Sequence, residues 1–328
     1  MNTLGTRHGL VERFLRTELW IEGPFSVEFL AAGEYNENYL VTNATDSYVF
    51  RINHGTQLQL ENQIGYEYAV LETVAPSGVT PRPLRLCERH DDFPRGVLLM
   101  EYLPGRPLDY ERDLAGAAEC FARIHGVDCE ATRSPLLVQA SPIDDIVAEC
   151  RELLSRHDDH PLPEEGRAIG RYMQRVVDLA RSASFADEPL CVVNTEVNSG
   201  NFLVEETADG SFVRLVDWEK AVVSHRYQDL GHFLVPTTTL WKTDFRFDSS
   251  TRRRFLELYR EAAQLSIPLD EIDERTELLE RTILLRAFSW VYMAWAEYSS
   301  GERAITNEDT YRAMRSYLEN IDRFLDAG

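Results

Sequence analysis

Lysine is scarce in this chain. Of its 34 basic residues only Lys220 and Lys242 are lysines, 55 residues are acidic, and the formal net charge is −21. Nucleic acids and anionic membranes attract clustered positive charge, so this balance argues against either as a non-specific partner. A salt-tolerant host and a GC-rich genome would both favour arginine over lysine, and the sequence does not separate them.

Cysteine pairs and long apolar runs are also missing. The five cysteines are odd in number and contain no CxxC pair, which argues against structural zinc and against a disulfide framework. The N-terminal segment lacks the apolar core of a signal peptide, and the chain has no run of 18 apolar residues. We therefore expect a cytoplasmic protein.

The length and the apolar content point to a folded protein of some size. The chain has 328 residues, of which 44% are hydrophobic, enough to build a substantial core. A chain of this length forms two domains or one large bilobal domain.

One stretch, residues 190–219, organises the rest of the sequence. An apolar run at 190–193 leads into a polar segment, and two strand-like runs at 202–205 and 212–216 follow on either side of an Asp209–Gly210 turn. Two apolar runs separated by such a turn predict a β-hairpin.

Three polar side chains flank this hairpin. Asn201 begins its first strand and Asp217 follows its second, so the hairpin folds the two side by side. An amide oxygen and a carboxylate placed together suit Mg²⁺, which prefers hard oxygen ligands. Glu196, a few residues upstream, would be placed to orient an attacking hydroxyl. These are the parts that phosphoryl transfer requires.

The stretch resembles the kinase-like small-molecule phosphotransferases, among them aminoglycoside phosphotransferases and choline and ethanolamine kinases. Their loop reads roughly His-Gly-Asp, three or four residues, Asn, and then Asp-Trp-Glu or similar after a hairpin. Residues 199–202 and Asp217-Trp218-Glu219 fit this pattern, whereas Asn194-Thr195-Glu196 replaces the whole triplet. The resemblance implies that Asn201 and Asp217 hold Mg²⁺ and that Glu196 takes the catalytic position.

Glutamate at position 196 leaves the mechanism open. Its reference pKa of about 4.3, against about 3.9 for aspartate, keeps the side chain ionised at neutral pH. Its extra methylene moves the carboxylate by roughly an ångström, and such a misplacement can cost about 100-fold in rate. The alternatives are therefore a working or slow phosphotransferase, a nucleotide-binding pseudoenzyme that acts through protein partners, and an ordinary hairpin with solvated loops.

The N-terminal third supplies candidate phosphate ligands. In the resemblance, the turn at 31–37, with its single Gly33, matches the loop that covers the nucleotide phosphates, whereas without the later motifs it indicates a plain hairpin turn. Arg51 alternates with apolar neighbours on a predicted strand, and Glu67 lies on a helix predicted at 59–74. The resemblance implies that Arg51 holds phosphates and that Glu67 pairs with it. The alternatives are an exposed edge-strand arginine, a solvated Glu67, and Glu61 as the partner.

An apolar strand at 96–102 runs into Leu103-Pro104-Gly105, a strong turn signal. The resemblance makes this strand the last of the small lobe and the turn a hinge between lobes. Backbone groups of Glu101, Tyr102 and Leu103 would then meet the adenine edge.

The second half of the chain reads as mostly helical. The resemblance gives Asp229 a structural part, in which it caps a helix or holds the catalytic loop by hydrogen bonds. His125 is interpreted as a packed residue at a helix end. The aromatic residues Phe288, Tyr292 and Trp295 share helical spacing, which is typical of core, although relatives use such residues to surround a quaternary ammonium.

We therefore predict an α+β, bilobal protein-kinase-like fold. A small antiparallel-sheet N-lobe spans 1–103, and a larger, mostly helical C-lobe spans 104–328. By the resemblance, ATP or GTP binds in the cleft with Mg²⁺, and the γ-phosphoryl group passes to a hydroxyl of an aminoglycoside-, choline- or sugar-like acceptor. The sequence does not indicate the oligomeric state.

Overall fold

The computed structural model describes most of the chain, in the ranges 3–33, 35–56, 58–129, 135–156, 159–181, 185, 187–208, 210–301 and 308–325. Of the predicted Asp209–Gly210 turn, Asp209 lies outside these residues. Within them, an antiparallel sheet occupies the N-terminal part of the chain and the remainder is mostly helical, as predicted.

The N-terminal sheet has strands in the order β1-β2-β3-β5-β4, and each pair of neighbours is antiparallel. The strands are β1 Ser26–Ala32, β2 Asn36–Thr42, β3 Ser47–Asn53, β4 Pro83–Cys87 and β5 Val97–Glu101. The proline-bearing strand β4 lies at an edge of the sheet, as expected for a residue that cannot donate a ladder hydrogen bond.

Two helices cover the two faces of this sheet. Helix α1 (Thr3–Thr17) packs Phe14 against Phe50 on one face, and α2 (Gln63–Val74) lies on the other. Since side chains alternate along β3, Arg51 points away from Phe50, towards α2. The alternative of an exposed edge-strand arginine is wrong, because β3 is the middle strand of the sheet and Arg51 is buried.

The C-terminal part contains two small β-pairs among helices. The pairs are β6–β9 and the predicted hairpin β7–β8. The elements are α3 Leu114–His125, α4 Pro142–Ser155, α5 Pro163–Ala180, β6 Cys191–Val193, β7 Phe202–Thr207, β8 Gly210–Leu215, β9 Val222–Ser224, α6 Tyr227–Leu234, α7 Pro236–Lys242, α8 Ser249–Ala262, α9 Leu269–Ser300, α10 Glu308–Glu319 and α11 Ile321–Leu325.

Local sequence explains where many of these helices begin. Helices α4, α5 and α7 have proline in the first turn, where its missing N–H costs no hydrogen bond. Asp248 caps α8 by accepting the Thr251 N–H at 2.7 Å. Helix α2 begins at Gln63, four residues later than predicted, because Asn62 is its cap and Gln59 has a positive φ of 56°.

Helix α9, with 32 residues, is the longest of the described helices and carries much of the C-terminal core. Phe288 and Tyr292 are buried, and the ring of Trp295 stacks on Tyr311 with centroids 5.5 Å apart. The prediction of an aromatic core here is confirmed. Among the described helices, none is both long and apolar enough to cross a membrane.

Candidate active site

The segment after β5 connects the sheet to the C-terminal part along strand β7. Arg106 and Val204 exchange two backbone hydrogen bonds, of 3.0 and 2.8 Å. Gly105 lies so close to this strand that a Cβ would come within 2.9 Å of the Val204 nitrogen, and its φ is 156°. A residue without a side chain is therefore required where the connection meets the hairpin.

The predicted pair between Arg51 and Glu67 is present. The Arg51 Nη1 group donates to Glu67 and also to Asp217 Oδ1 at 3.2 Å, while Arg51 Nε donates to Asn38 at 2.9 Å. Arg51 is 6% exposed and Glu67 is 2% exposed. Glu61, the alternative partner, is exposed in the turn before α2. One guanidinium thus joins the sheet, helix α2 and the residue after the hairpin.

Burial shapes the electrostatics of this pair. It raises the pKa of Glu67 to about 7, even though the Arg51 guanidinium acts to lower it. Burial also acts to lower the pKa of Arg51, but the carboxylates of Glu67 and Asp217 outweigh it and raise that pKa above its ordinary value. The arginine therefore stays charged in the interior.

Asp229 holds the loop that carries Glu196. Its two carboxylate oxygens accept the backbone N–H groups of Asn194 and Thr195, both at 2.8 Å. His125, at the end of α3, places Nε2 3.3 Å from Asp229 and Nδ1 2.8 Å from the Tyr259 hydroxyl. The predictions of a loop-holding aspartate and a packed histidine are both confirmed.

Asn194 links this loop to the end of the hairpin. Its side chain accepts the Glu196 N–H at 2.9 Å and donates to the Asp217 carbonyl at 2.7 Å. Asp217 has a φ of +67°, a left-handed conformation that is costly for a residue with a side chain and that recurs at active sites. Asn194 therefore helps to fix Asp217 in an uncommon backbone geometry.

Three carboxylates converge beside this loop. One oxygen from each of Glu196, Asp217 and Glu219 lies within 4.8 Å of the other two. Opposite ligands of an octahedral Mg²⁺ are about 4 Å apart, so Asp217 and Glu219 lie near the spacing that such a cation requires. The geometry brings together two of the predicted site residues and adds Glu219, for which the sequence pattern predicts no role.

Asn201 lies at the base of the hairpin, next to the same cluster. Its carbonyl accepts the Val216 N–H at 2.9 Å, which pairs it with the residue before Asp217. Its side-chain nitrogen donates to the Glu196 carbonyl at 2.7 Å. The amide nitrogen is committed to the loop, so the amide oxygen is the atom that Asn201 can offer to a cation.

Glu219 also ties the site to the N-terminal sheet. Its carboxylate accepts a hydrogen bond from Asn36, the first residue of β2, and its carbonyl accepts one from Gln63 at 2.7 Å. Burial, together with the negative charges of Asp217 and Glu67, raises the pKa of Glu219 to about 8. A bound cation would displace the proton that such a carboxyl retains.

The remaining predicted residues lie around the sheet. Gly33 is in the turn between β1 and β2, where its N–H donates to the Asn36 carbonyl at 2.9 Å. Glu101 ends β5, and its backbone N–H donates to the Arg82 carbonyl at 2.9 Å. The Tyr102 N–H donates to the Ser47 carbonyl at 3.3 Å. Leu103 is buried just beyond. These groups occupy the end of the sheet from which the chain leaves for strand β7.

The Glu196 carboxylate has a partner that the sequence analysis did not assign. Lys220 Nζ donates to Glu196 Oε1 at 2.7 Å, and each of the two side chains is 24% exposed. The sequence carries no local signal for this contact, because residues 196 and 220 are 24 positions apart and meet only in the folded chain.

Comparisons with known proteins agree with this geometry. Residues 26–278 match the model of the phosphotransferase enzyme family. No curated protein sequence matches the chain significantly.

Solved structures share the fold at low sequence identity. A candidate aminoglycoside phosphotransferase from Ralstonia eutropha JMP134 has a TM-score of 0.71 and 16% identity, with 98% of this chain and 97% of that chain covered. Choline kinase LicA from Streptococcus pneumoniae has a TM-score of 0.62 and 16% identity, with 97% and 100% covered. A spectinomycin phosphotransferase in complex with ADP and spectinomycin has a TM-score of 0.61 and 11% identity, with 89% and 88% covered.

The predicted bilobal kinase-like fold and the predicted resemblance are thereby confirmed. Because the family match extends over well more than half of the sequence, the chain belongs to the phosphotransferase enzyme family.

Proposed function

We propose that this protein is a Mg²⁺-dependent phosphotransferase that moves the γ-phosphoryl group of ATP or GTP to a hydroxyl of a small polar molecule. The observation that carries the proposal is the convergence of Glu196, Asp217 and Glu219 at the point where the buried Arg51 reaches Asp217. A carboxylate cluster next to a fixed guanidinium suits a divalent cation and the phosphate groups that it carries.

The proposal divides the chain into two lobes with different tasks. Residues 1–103 would bind the nucleotide, with backbone groups of Glu101, Tyr102 and Leu103 at the adenine edge and the turn at Gly33 over the phosphates. Residues 104–328 would carry the catalytic loop and the acceptor site. Nucleotide use is supported by relatives of the same fold that were solved with ADP and with GDP.

Each site residue has a distinct task in this mechanism. Bound Mg²⁺ would neutralise charge on the phosphate oxygens and hold them in line for transfer. Asp217 and the Asn201 amide oxygen would hold the ion, joined by Glu219. Arg51, braced by Glu67, would grip phosphate oxygens, and Glu196 would orient the acceptor hydroxyl and accept its proton.

We propose an acceptor of the aminoglycoside, choline or sugar-like kind. Relatives of this fold include a choline kinase and a spectinomycin phosphotransferase, whose names state small polar acceptors. We also propose a cytoplasmic protein, and its net charge of −21 disfavours nucleic-acid and membrane partners.

A second candidate is a nucleotide-binding pseudoenzyme that acts through protein partners. It is favoured by the altered triplet Asn194-Thr195-Glu196 and by the ion pair that engages Glu196 with Lys220.

Nucleotide turnover separates the two candidates. Release of ADP from ATP, or of GDP from GTP, is measured with Mg²⁺ and a panel of aminoglycosides, choline, ethanolamine and sugars, for the wild type and for Asp217→Asn. The proposal expects acceptor-dependent turnover that Asp217→Asn abolishes. Mg²⁺-dependent nucleotide binding without turnover on any acceptor would instead favour the pseudoenzyme.

A further inference from the structure

Lys220 forms an ion pair with the carboxylate of Glu196. Its ammonium binds Glu196 Oε1 at 2.7 Å, and Glu196 in turn lies at the edge of the carboxylate cluster with Asp217 and Glu219. The chain has one other lysine, Lys242, which is exposed at the end of α7. The cationic side chain next to the proposed base is therefore a residue type that this protein hardly uses.

The backbone around Lys220 is held from both parts of the molecule. The Thr195 hydroxyl donates to the Lys220 carbonyl at 3.1 Å, on the catalytic-loop side. From helix α2, Gln63 donates to the Glu219 carbonyl at 2.7 Å and the Tyr66 hydroxyl donates to the Ala221 carbonyl at 2.6 Å. Three consecutive carbonyls are thus fixed, so the base of the Lys220 side chain has a defined position.

A glutamate at position 196 creates a conflict that this lysine resolves. A carboxylate with an oxygen within 4.8 Å of Asp217 and Glu219 is close enough to join them on one cation. A carboxylate bound to the metal loses the basicity and the free oxygen that the acceptor hydroxyl needs. The longer glutamate side chain can reach the cluster by rotation, because it has one more rotatable bond than aspartate.

We propose that Lys220 is a positioning residue that keeps Glu196 out of the metal coordination sphere and available to the acceptor. The ammonium occupies Oε1 and repels a divalent cation from that side of the carboxylate. This inference rests on the proposed function, since it assumes the cation site formed by Asp217 and its neighbours. Without the lysine, Glu196 becomes an additional metal ligand, so the metal binds more tightly while transfer slows.

Opposite changes in metal binding and turnover distinguish this role from a merely structural one. Mn²⁺, a paramagnetic substitute for Mg²⁺, is titrated with and without ADP, and free Mn²⁺ is followed by electron paramagnetic resonance. The variants are Lys220→Met, Lys220→Arg, Glu196→Gln and the double variant Lys220→Met/Glu196→Gln. Lys242→Met is the matched control, because it removes the other lysine at an exposed site.

We expect Lys220→Met to tighten Mn²⁺ binding about tenfold, since it removes a nearby positive charge and frees a carboxylate ligand. In the Glu196→Gln background the same substitution removes only the charge, so the tightening falls to about threefold or less. Lys220→Arg keeps the charge and should remain close to wild type. Where an acceptor supports turnover, kcat should drop in Lys220→Met while the KM for the nucleotide changes little.

Several results would overturn the inference. Unchanged or weaker Mn²⁺ binding in Lys220→Met, with normal binding in the wild type, removes the role of Lys220 and leaves the proposed function standing. If Lys220→Met tightens Mn²⁺ binding equally in the wild-type and Glu196→Gln backgrounds, or if Lys242→Met tightens it as much, the change comes from the lost positive charge alone and not from Glu196. Absence of Mn²⁺ binding in every protein, the wild type included, rejects the metal site and the proposed function together.

Discussion

Replacing Arg51 by methionine tests whether the proposed phosphate clamp is also an internal ion pair of the fold. Arg51 is 6% exposed and Glu67 is 2% exposed, so the variant leaves a buried carboxylate without its cation. Breaking a buried pair in this way typically costs about 3–5 kcal/mol of the free energy of unfolding. We therefore expect Arg51→Met to lose about that much stability at pH 8, and to bind nucleotide poorly.

The loss should depend on pH in a definite direction. Burial already raises the pKa of Glu67 from 4.5 to about 7 with Arg51 present, and removal of the guanidinium raises it further. A carboxyl whose pKa in the folded protein exceeds its unfolded value contributes stability below the unfolded pKa, and this contribution is lost as the pH rises through the folded pKa. Arg51→Met should therefore be less destabilised at pH 5.5, where Glu67 carries a proton, than at pH 8.

Urea unfolding at both pH values measures these differences. Glu67→Gln in the Arg51→Met background removes the stranded charge and should restore about 2 kcal/mol at pH 8. Arg13→Met is the matched control in the same part of the chain, because Arg13 and Asp92 form an exposed pair worth less than about 1 kcal/mol. The reasoning fails if Arg51→Met is as mild as Arg13→Met, or if the double variant is less stable than Arg51→Met alone.

Three further substitutions address the loop and the carboxylate cluster. Glu196→Gln should lower kcat about 100-fold or more with little change in nucleotide KM, in steady-state assays, and an unaffected rate would remove Glu196 from the mechanism. Asp229→Asn turns an amide group toward backbone N–H donors and should cost about 2–3 kcal/mol in urea unfolding; a neutral effect would contradict its anchoring role. Burial raises the pKa of Glu219 to about 8. In the protein without metal, the stability that the protonated carboxyl contributes is therefore lost as the pH rises through that value. Glu219→Gln should show a midpoint of thermal unfolding that changes less between pH 6 and 9, whereas a wild-type slope would refute the assignment.

The parts of the site that the sequence predicts are those that follow from local pattern. The spacing of apolar runs around a turn predicts the β7–β8 hairpin, and the alternation along β3 sets the face on which Arg51 lies. Periodicity decides these features, because a side chain's direction is set by its own strand or helix. The pairing of Glu67 with Arg51 comes instead from the family resemblance, since periodicity alone leaves Glu61 as an alternative partner.

Contacts between distant segments escape such reasoning. The bond between Asn36 and Glu219 joins residues 183 positions apart, and the bond from Lys220 to Glu196 depends on how the loop after β6 packs against the turn before β9. Strand β9 is too short to show a period, so it was not predicted. The left-handed backbone at Asp217 has no local signal either, since aspartate gives no glycine-like indication of a positive φ.

The altered triplet changes less of the site than the sequence suggests. Asn194 connects the Glu196 N–H to the Asp217 carbonyl, and Asp229 accepts the N–H groups of Asn194 and Thr195. The loop is therefore held through backbone groups, and these do not depend on the side chain at position 196. The departure from the family pattern therefore changes mainly the position of the Glu196 carboxylate. The ion pair with Lys220 restrains that carboxylate. Activity in this chain should accordingly depend on residues 196 and 220 as a pair. Glu196→Asp restores the residue that is usual in the family, but its shorter side chain reaches less far towards Lys220 and so weakens the restraint.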